Sequence, residues 1–238
     1  MASAADPMSD TASGARAPDA IRDAIRDAAT VILLRRDGDE PRVLMGQRGA
    51  GAAFMPSKYV FPGGAVDPED ALVPFGSELV PLCARRLGAA ASALAASAIR
   101  ELWEETGLVL GTAGSWPGPA PAAWQGFADL NLLPAAAPLR FVFRAITPQG
   151  RPRRFDARFF LADAAAIAGD LDDFSGASDE LGHLHWVPLR AARELNLPFI
   201  TEVVLGEVAA ALATPAAEDH GIAFFDNSGP VPAFRRLA

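Results

Sequence analysis

Residues 100–108 read R-E-L-W-E-E-T-G-L and place three glutamates within five positions. Apolar residues recur at three- and four-residue steps through the preceding segment, which predicts the buried stripe of a helix over residues 92–106. These apolar residues are Leu94, Ala98, Ile99 and Leu102. Gly107 predicts the end of the helix, because glycine readily adopts the left-handed conformation that closes helices.

The three glutamates of this helix, Glu101, Glu104 and Glu105, share one turn on the side away from the apolar stripe. Like charges at this spacing destabilise a helix unless a cation lies among them. Mg²⁺ takes carboxylate oxygens together with substrate phosphates and water. The pattern therefore has two interpretations, a metal site and an ordinary solvated acidic face.

The segment upstream of the helix favours the metal site. Residues 61–64 read F-P-G-G, and together with residues 100–108 they resemble the signature of Nudix hydrolases. That signature is a glycine, five residues, an acid, seven residues and then R-E-U-x-E-E-x-G-U, where U is a bulky aliphatic residue. The matching residues are Gly64, Asp70, Arg100, Glu101, Leu102, Glu104, Glu105, Gly107 and Leu108. Two features depart from it: Asp70 replaces the usual Glu, and the seven-residue spacer is extended to residues 71–99.

The resemblance implies roles for individual residues. Glu101 and Glu105 are expected to bind Mg²⁺ or Mn²⁺ with Glu104 close by, the carbonyl of Gly64 is expected to help, and Arg100 is expected to hold the carboxylates in register. Many family members add an acid on a loop before a late strand, as metal ligand or general base. Glu180 fits that position, Asp179 is the neighbouring alternative, and Glu104 is the third candidate.

The expected substrate is a small nucleoside diphosphate derivative. The phrase before Gly64 resembles the branch that cleaves coenzyme A and acyl-CoA, and Leu44 and Arg48 match that branch's upstream motif. Position 53 is alanine where the branch has a second arginine. Arg153, Arg154 and Arg158 could compensate as phosphate partners, and the alternative is that they are solvated strand residues. ADP-ribose, an NAD-like compound or a dinucleotide are the alternative substrates, and a non-catalytic binding or sensor protein of this fold is the alternative class.

The order of the predicted elements fits an α/β/α sandwich with a mixed sheet and insertions. Residues 29–213 form the predicted domain, with insertions at about 71–90 and 111–138. The second insertion is expected to be a long ordered loop. Residues 1–28 are expected to be disordered or partly helical, with a hint of helix around residues 21–28. Residues 214–238 are expected to pack on the domain as an irregular tail.

Composition narrows the class of protein further. The net charge of −8 argues against broad binding to nucleic-acid backbones, which requires clustered cations. The longest apolar stretch, residues 203–213, is too short to span a bilayer, and residues 1–30 lack the apolar core of a signal peptide. Cys83 is the single cysteine, so an intramolecular disulfide is excluded. We therefore expect a cytoplasmic protein without nucleic-acid or membrane partners, and a homodimer remains open.

Overall fold

The structure is a computed structural model that describes residues 24–52, 54–214 and 221–238. Its strands are β1 (Ile25–Arg35), β2 (Arg42–Arg48), β3 (Tyr59–Val60), β4 (Gly63–Ala65), β5 (Gly111–Ala113), β6 (Leu132–Pro134), β7 (Arg140–Ile146), β8 (Arg154–Asp163), β9 (Leu181–Pro188), β10 (Ile222–Asp226) and β11 (Ala233–Leu237). Its α-helices are α1 (Pro81–Leu87), α2 (Ala91–Thr106), α3 (Gln125–Asp129) and α4 (Phe199–Ala213). Short 3₁₀ turns lie at Pro68–Leu72, Gly88–Ala90, Ala122–Trp124, Ala164–Ala166 and Ala192–Glu194.

Nine of the strands form one mixed sheet. Its main path runs β11-β10-β7-β8-β1-β2-β3, while β4 pairs with β1 and β9 pairs with β2. The β1–β8 and β7–β10 pairs are parallel, and the other pairs are antiparallel. Strands β5 and β6 form a separate antiparallel pair. The predicted mixed sheet is confirmed.

The sheet lies between two helical layers. Along β1, Val31 and Leu33 face the core on the α2 side, and Ile32 and Leu34 face the core on the α4 side. This period-two alternation of fully apolar residues is what a strand covered on both faces requires. The fold is therefore the α/β/α sandwich that the order of elements predicts.

Three expectations about the peripheral segments are wrong. Residues 25–28 are strand rather than helix, because they pair in register with residues 154–157 of β8; residues 1–23 lie outside the described part. The second insertion is not a plain loop, since it contains β5, α3 and β6 and buries Trp124 and Phe127 completely.

The third correction concerns residues 221–238. They form β10 and β11 instead of an irregular tail, because β10 adds to the edge of the sheet beside β7 and buries Ile222, Ala223 and Phe224.

The two insertions pack on each other along the first half of α2. The backbone N–H of Gly76 donates to Pro134 O at 2.9 Å, and that of Ala136 donates to Ser77 O at 2.8 Å. Val73, Leu79 and Cys83 join the core cluster on the α2 side. The two insertions thus form one layer that packs against α2.

One helical run in the described residues, Pro81–Thr106, is long and apolar enough to cross a membrane by length and composition. Leu94, Ile99 and Leu102 of this run are fully buried inside the protein. Burial in the core accounts for its apolar character.

Candidate active site

Helix α2 presents the acidic stretch at its C-terminal end. Gly107 has φ of 76° and its N–H donates to Trp103 O at 2.7 Å, which closes the helix as its sequence predicts. A Cβ at position 107 would also lie 3.1 Å from the backbone of Gly176. Glycine here therefore ends the helix and lets the loop before β9 approach it.

Arg100 is the centre of the polar network on α2, and it is almost fully buried. Its Nη1 donates to Glu101 Oε1 at 2.9 Å and to Glu104 Oε2 at 3.0 Å. Its Nε and Nη2 donate to the two oxygens of Asp70, both at 3.0 Å, and Nη2 also donates to Ala65 O. One guanidinium thus orients two of the three glutamates from a fixed position.

Asp70 is fully buried and anchors Arg100 from the 3₁₀ turn Pro68–Leu72, just before the first insertion. Besides the guanidinium it accepts the N–H of Asp67 at 2.9 Å and the indole N–H of Trp124 at 3.4 Å. Aspartate is shorter than the glutamate usual at this position of the signature, yet Asp70 still makes a bidentate pair with Arg100. A buried charge needs such partners, because an uncompensated one is strongly destabilising.

The F-P-G-G turn bends the chain at Pro62 and continues into β4 at Gly63, and it lies directly against the glutamates. The N–H of Gly63 donates to Glu105 Oε2 at 2.8 Å. A Cβ on Gly64 would lie 2.4 Å from the carboxylate carbon of Glu101, so any side chain here would displace that carboxylate. The turn and the helix therefore form one unit, although 36 positions separate Gly64 from Arg100 in the sequence.

All three glutamates resist ionisation. Burial raises the pKa of Glu101 to about 7 and that of Glu105 to about 8 from an ordinary value of 4.5, and nearby acids, Glu180 among them, add to both shifts. The pKa of Glu104 is also raised, first by burial and further by Asp70 and Asp67. Arg100 opposes the rise at Glu101 and Glu104, and the Gly63 N–H opposes it at Glu105. Burial is the largest cause of the raised pKa at each of the three glutamates.

A cleft of about 510 Å³ opens beside this cluster. We call it the acidic cleft; it is lined by Trp103, Glu104, Gly176, Ala177, Ser178 and Glu180. The N–H of Ser178 donates to Glu104 O at 2.8 Å, which fixes the loop over the end of α2. Glu180 directly precedes β9 and faces the cleft, whereas Asp179 is not part of the lining.

A family model described as the NUDIX domain matches residues 24–205, more than half of the chain. The chain belongs to the Nudix family. It is 32% identical over 174 residues to the putative nudix hydrolase 7 of Caenorhabditis elegans, an alignment that covers 68% of this chain and 51% of that protein. The chain therefore spans about half the length of this relative.

A solved Nudix structure is also similar. The NUDIX hydrolase from Alicyclobacillus acidocaldarius superposes with a TM-score of 0.63 and 29% sequence identity, covering 82% of this chain and 98% of that chain. The agreement extends over nearly the whole of the smaller protein, so the sandwich is the fold of the family.

The Nudix donor set fits a hard divalent cation. Glu101, Glu104 and Glu105 offer carboxylate oxygens within one turn of α2, and the backbone of Gly64 lies next to the carboxylate of Glu101. Oxygen donors of this kind suit Mg²⁺ or Mn²⁺. In residues 24–52, 54–214 and 221–238 no three His, Cys, Asp or Glu side chains already stand as a ligand group. An ion would compete with Arg100 Nη1 for oxygens of Glu101 and Glu104.

The two predicted substrate arginines differ in their surroundings. Arg48 ends β2 close enough to Glu105 to oppose the rise in that residue's pKa. Its Nε is buried and has no hydrogen-bond partner among the described residues. Arg158 instead bonds Asp27 and Asp156, with Nη1 at 3.2 Å from Asp156 Oδ1. Arg48 therefore has a donor to spare for a ligand, and Arg158 is already neutralised.

Sequence reasoning missed several contributors to the site. Trp103 and the loop residues 176–178 line the cleft, and Trp124 reaches Asp70 from an insertion 54 positions away. Trp103 carried a signal, because it is a large aromatic residue between two acids of the helix. Trp124 carried none, since its contact depends on how the insertions pack.

Proposed function

We propose that this chain is a metal-dependent hydrolase that cleaves the diphosphate linkage of a nucleoside diphosphate derivative. The observation that carries the proposal is the cluster of Glu101, Glu104 and Glu105 against the Gly63–Gly64 turn, centred on the buried Arg100. A solvated acidic face, the ordinary alternative, would not be half-buried around a guanidinium and would not raise these pKa values.

The chain's own residues would divide the work as follows. Glu101, Glu104 and Glu105 would hold Mg²⁺ or Mn²⁺ with the carbonyl of Gly64. When bound, the ion supplies positive charge that offsets the phosphate oxygens and makes water a better nucleophile at neutral pH. Arg100 would keep two carboxylates oriented while substrate exchanges. Preorganised groups of this kind do not have to rearrange at the moment of reaction.

Two further residues would act on the substrate and water. Glu180 lines the acidic cleft together with Glu104, and it would accept the proton of the attacking water. Arg48 would donate its free Nε–H to a phosphate oxygen, which needs a charged donor of this type.

Coenzyme A or acyl-CoA is the finer proposal for the substrate. It rests on the upstream motif and on the free donor of Arg48, and residue 53, where the branch has its second arginine, lies outside the described part. Arg48→Ala should therefore raise KM for a CoA substrate more than it lowers kcat.

A substrate panel tests the activity. CoA, acetyl-CoA, ADP-ribose, NADH and diadenosine polyphosphates would be incubated with Mg²⁺ or Mn²⁺, and the phosphorylated products identified. We expect cleavage at the diphosphate of at least one compound and its loss in EDTA. Cleavage that EDTA leaves unchanged, or no cleavage of any compound by folded protein, would refute the proposal.

A further inference from the structure

Trp103 has a position unlike that of the other three tryptophans of the chain. The indole N–H of Trp116 donates to Leu132 O at 2.9 Å, that of Trp124 to Asp70 at 3.4 Å and that of Trp186 to Leu171 O at 3.0 Å. In the described part of the chain, the indole N–H of Trp103 donates to no protein acceptor. A tryptophan with an apolar ring and a free donor is typical of a ligand surface.

The ring of Trp103 is held firmly by the second insertion. It packs edge-to-face on Phe127 at 5.8 Å and 86° between the ring planes. A Cβ at position 126 would lie 2.8 Å from the far edge of the indole, so glycine there allows the ring to rest on the backbone. A fixed ring loses little conformational entropy when a ligand stacks on it.

The wall of the acidic cleft beside Trp103 and Glu104 consists of small residues. Gly176, Ala177 and Ser178 form it, and the cleft volume of about 510 Å³ lies within the range of ordinary small-molecule sites. Glu104 and Glu180 make the same cleft unfavourable for an anionic group without a cation. A flat, uncharged ring therefore suits the surface of Trp103 better than a phosphate does.

We propose that Trp103 is the stacking surface for the heteroaromatic base of the substrate, with its indole N–H free to donate to that ligand. This inference rests on the proposed function in that it assigns the base to the cleft next to the glutamate cluster. It specifies a substrate that carries a nucleobase within reach of the cleaved diphosphate.

Equilibrium binding of AMP and ribose 5-phosphate, measured by calorimetry with Mg²⁺ present, tests the inference without requiring turnover. Base–aromatic stacking predicts that Trp103→Leu weakens AMP binding by about 5- to 150-fold. Trp103→Phe should retain most of the affinity, since it keeps an aromatic face. Ribose 5-phosphate, which lacks the base, should bind the wild type more weakly than AMP and should not respond to Trp103→Leu.

Trp116→Leu is the matched control, because Trp116 packs on the same core but does not line the cleft. It should leave AMP binding unchanged, and melting curves verify that each variant is folded. The inference is overturned if Trp103→Leu binds AMP like the wild type or if the wild type does not bind AMP. Equal weakening of both ligands, or equal affinity of the wild type for both, would also overturn it.

The two proposals can fail separately. AMP binding that depends on Trp103 in a protein that hydrolyses no diphosphate would refute the enzymatic proposal and keep the stacking surface. Metal-dependent hydrolysis by the wild type, together with unchanged AMP binding in Trp103→Leu, would refute the stacking surface and keep the enzymatic proposal.

Discussion

Arg100 is the residue on which the site depends most. Its five N–H donors serve two carboxylates on α2, the carboxylate of Asp70 and one backbone carbonyl, and a lysine could not reproduce this fixed fork. The same residue links the buried Asp70 to Glu101 and to Glu104, and Glu104 lines the acidic cleft.

Glu180 and Asp179 offer a test at single-residue resolution. Glu180→Gln should lower kcat by roughly a hundred- to ten-thousandfold, as loss of a general base does, while the melting temperature stays near that of the wild type. Asp179→Asn is the matched control and should stay near normal, because Asp179 is exposed and does not line the cleft. Steady-state kinetics with Mg²⁺ measure both.

A slow Asp179→Asn variant and a normal Glu180→Gln variant would assign the general base to Asp179. Normal rates in both variants would leave Glu104 as the candidate base on α2.

The raised pKa values predict how the metal-free protein responds to pH. Glu101 and Glu105 have folded-state pKa values of about 7 and about 8, above the ordinary 4.5. From pH 4.5 to these values the folded state therefore binds more protons than the unfolded state. Stability falls as pH rises over that range and levels off above about pH 8. With EDTA present, the melting temperature should decrease from pH 6 to pH 9, and less steeply in Glu105→Gln.

Mg²⁺ should raise the melting temperature more at pH 8 than at pH 6, because the ion binds ionised carboxylates. An EDTA-treated protein whose melting temperature responds to pH in the same way in the wild type and in Glu105→Gln would contradict the assigned shift of Glu105.

At the scale of elements, the second insertion packs against α2 and supports its polar network through Trp124. Trp124→Phe removes the N–H that reaches Asp70, whereas Trp116→Phe removes an N–H bonded to Leu132 O within the insertion. Outer-shell partners of metal ligands are typically worth 10- to 100-fold in activity or metal affinity. Since Trp124 acts through Asp70 and Arg100, we expect Trp124→Phe to lower kcat about tenfold or to weaken activation by Mg²⁺.

Trp116→Phe should lower the melting temperature without changing kcat by more than about twofold. If the two variants lose activity equally, Trp124 serves stability alone.

The elements that the sequence predicts well are those with strong local periodicity. Helix α2 begins at Ala91 and ends at Thr106, against a prediction of 92–106, because its apolar stripe and Gly107 are both local signals. Strands β10 and β11 were missed since β11 is largely exposed and has no alternating pattern, and β10 is defined by pairing with β7. The start of β1 was missed for the same reason: residues 25–27 are exposed and depend on β8.

At the scale of the whole molecule, the sheet brings distant segments to one place. The turn after β3, the C-terminal end of α2 and the loop before β9 meet at the glutamate cluster. The glutamates themselves could be predicted because their spacing fixes a helix face. Tertiary packing alone determines that Asp70 is buried, that Trp124 supports it and that Arg158 is neutralised by Asp27 and Asp156.

The loop before β9 is attached to three other elements of the fold. Arg35 donates to Asp172 at 2.6 Å, Trp186 donates to Leu171 O, and Ser178 donates to Glu104 O. These contacts come from β1, β9 and α2. Contacts from β1, β9 and α2 therefore hold the loop that leads to Glu180. The candidate site is assembled from several elements and not from one helix.

Turnover of Glu105→Gln, measured with the best diphosphate substrate across a Mg²⁺ titration, tests the central claim most directly. Glutamine can still accept the Gly63 N–H, so the variant should fold and melt no lower than the wild type. Loss of a metal ligand should lower kcat by about a hundredfold or more with a smaller change in KM. Glu202→Gln, on α4 across the sheet, should behave like the wild type. Wild-type turnover in Glu105→Gln would contradict the account.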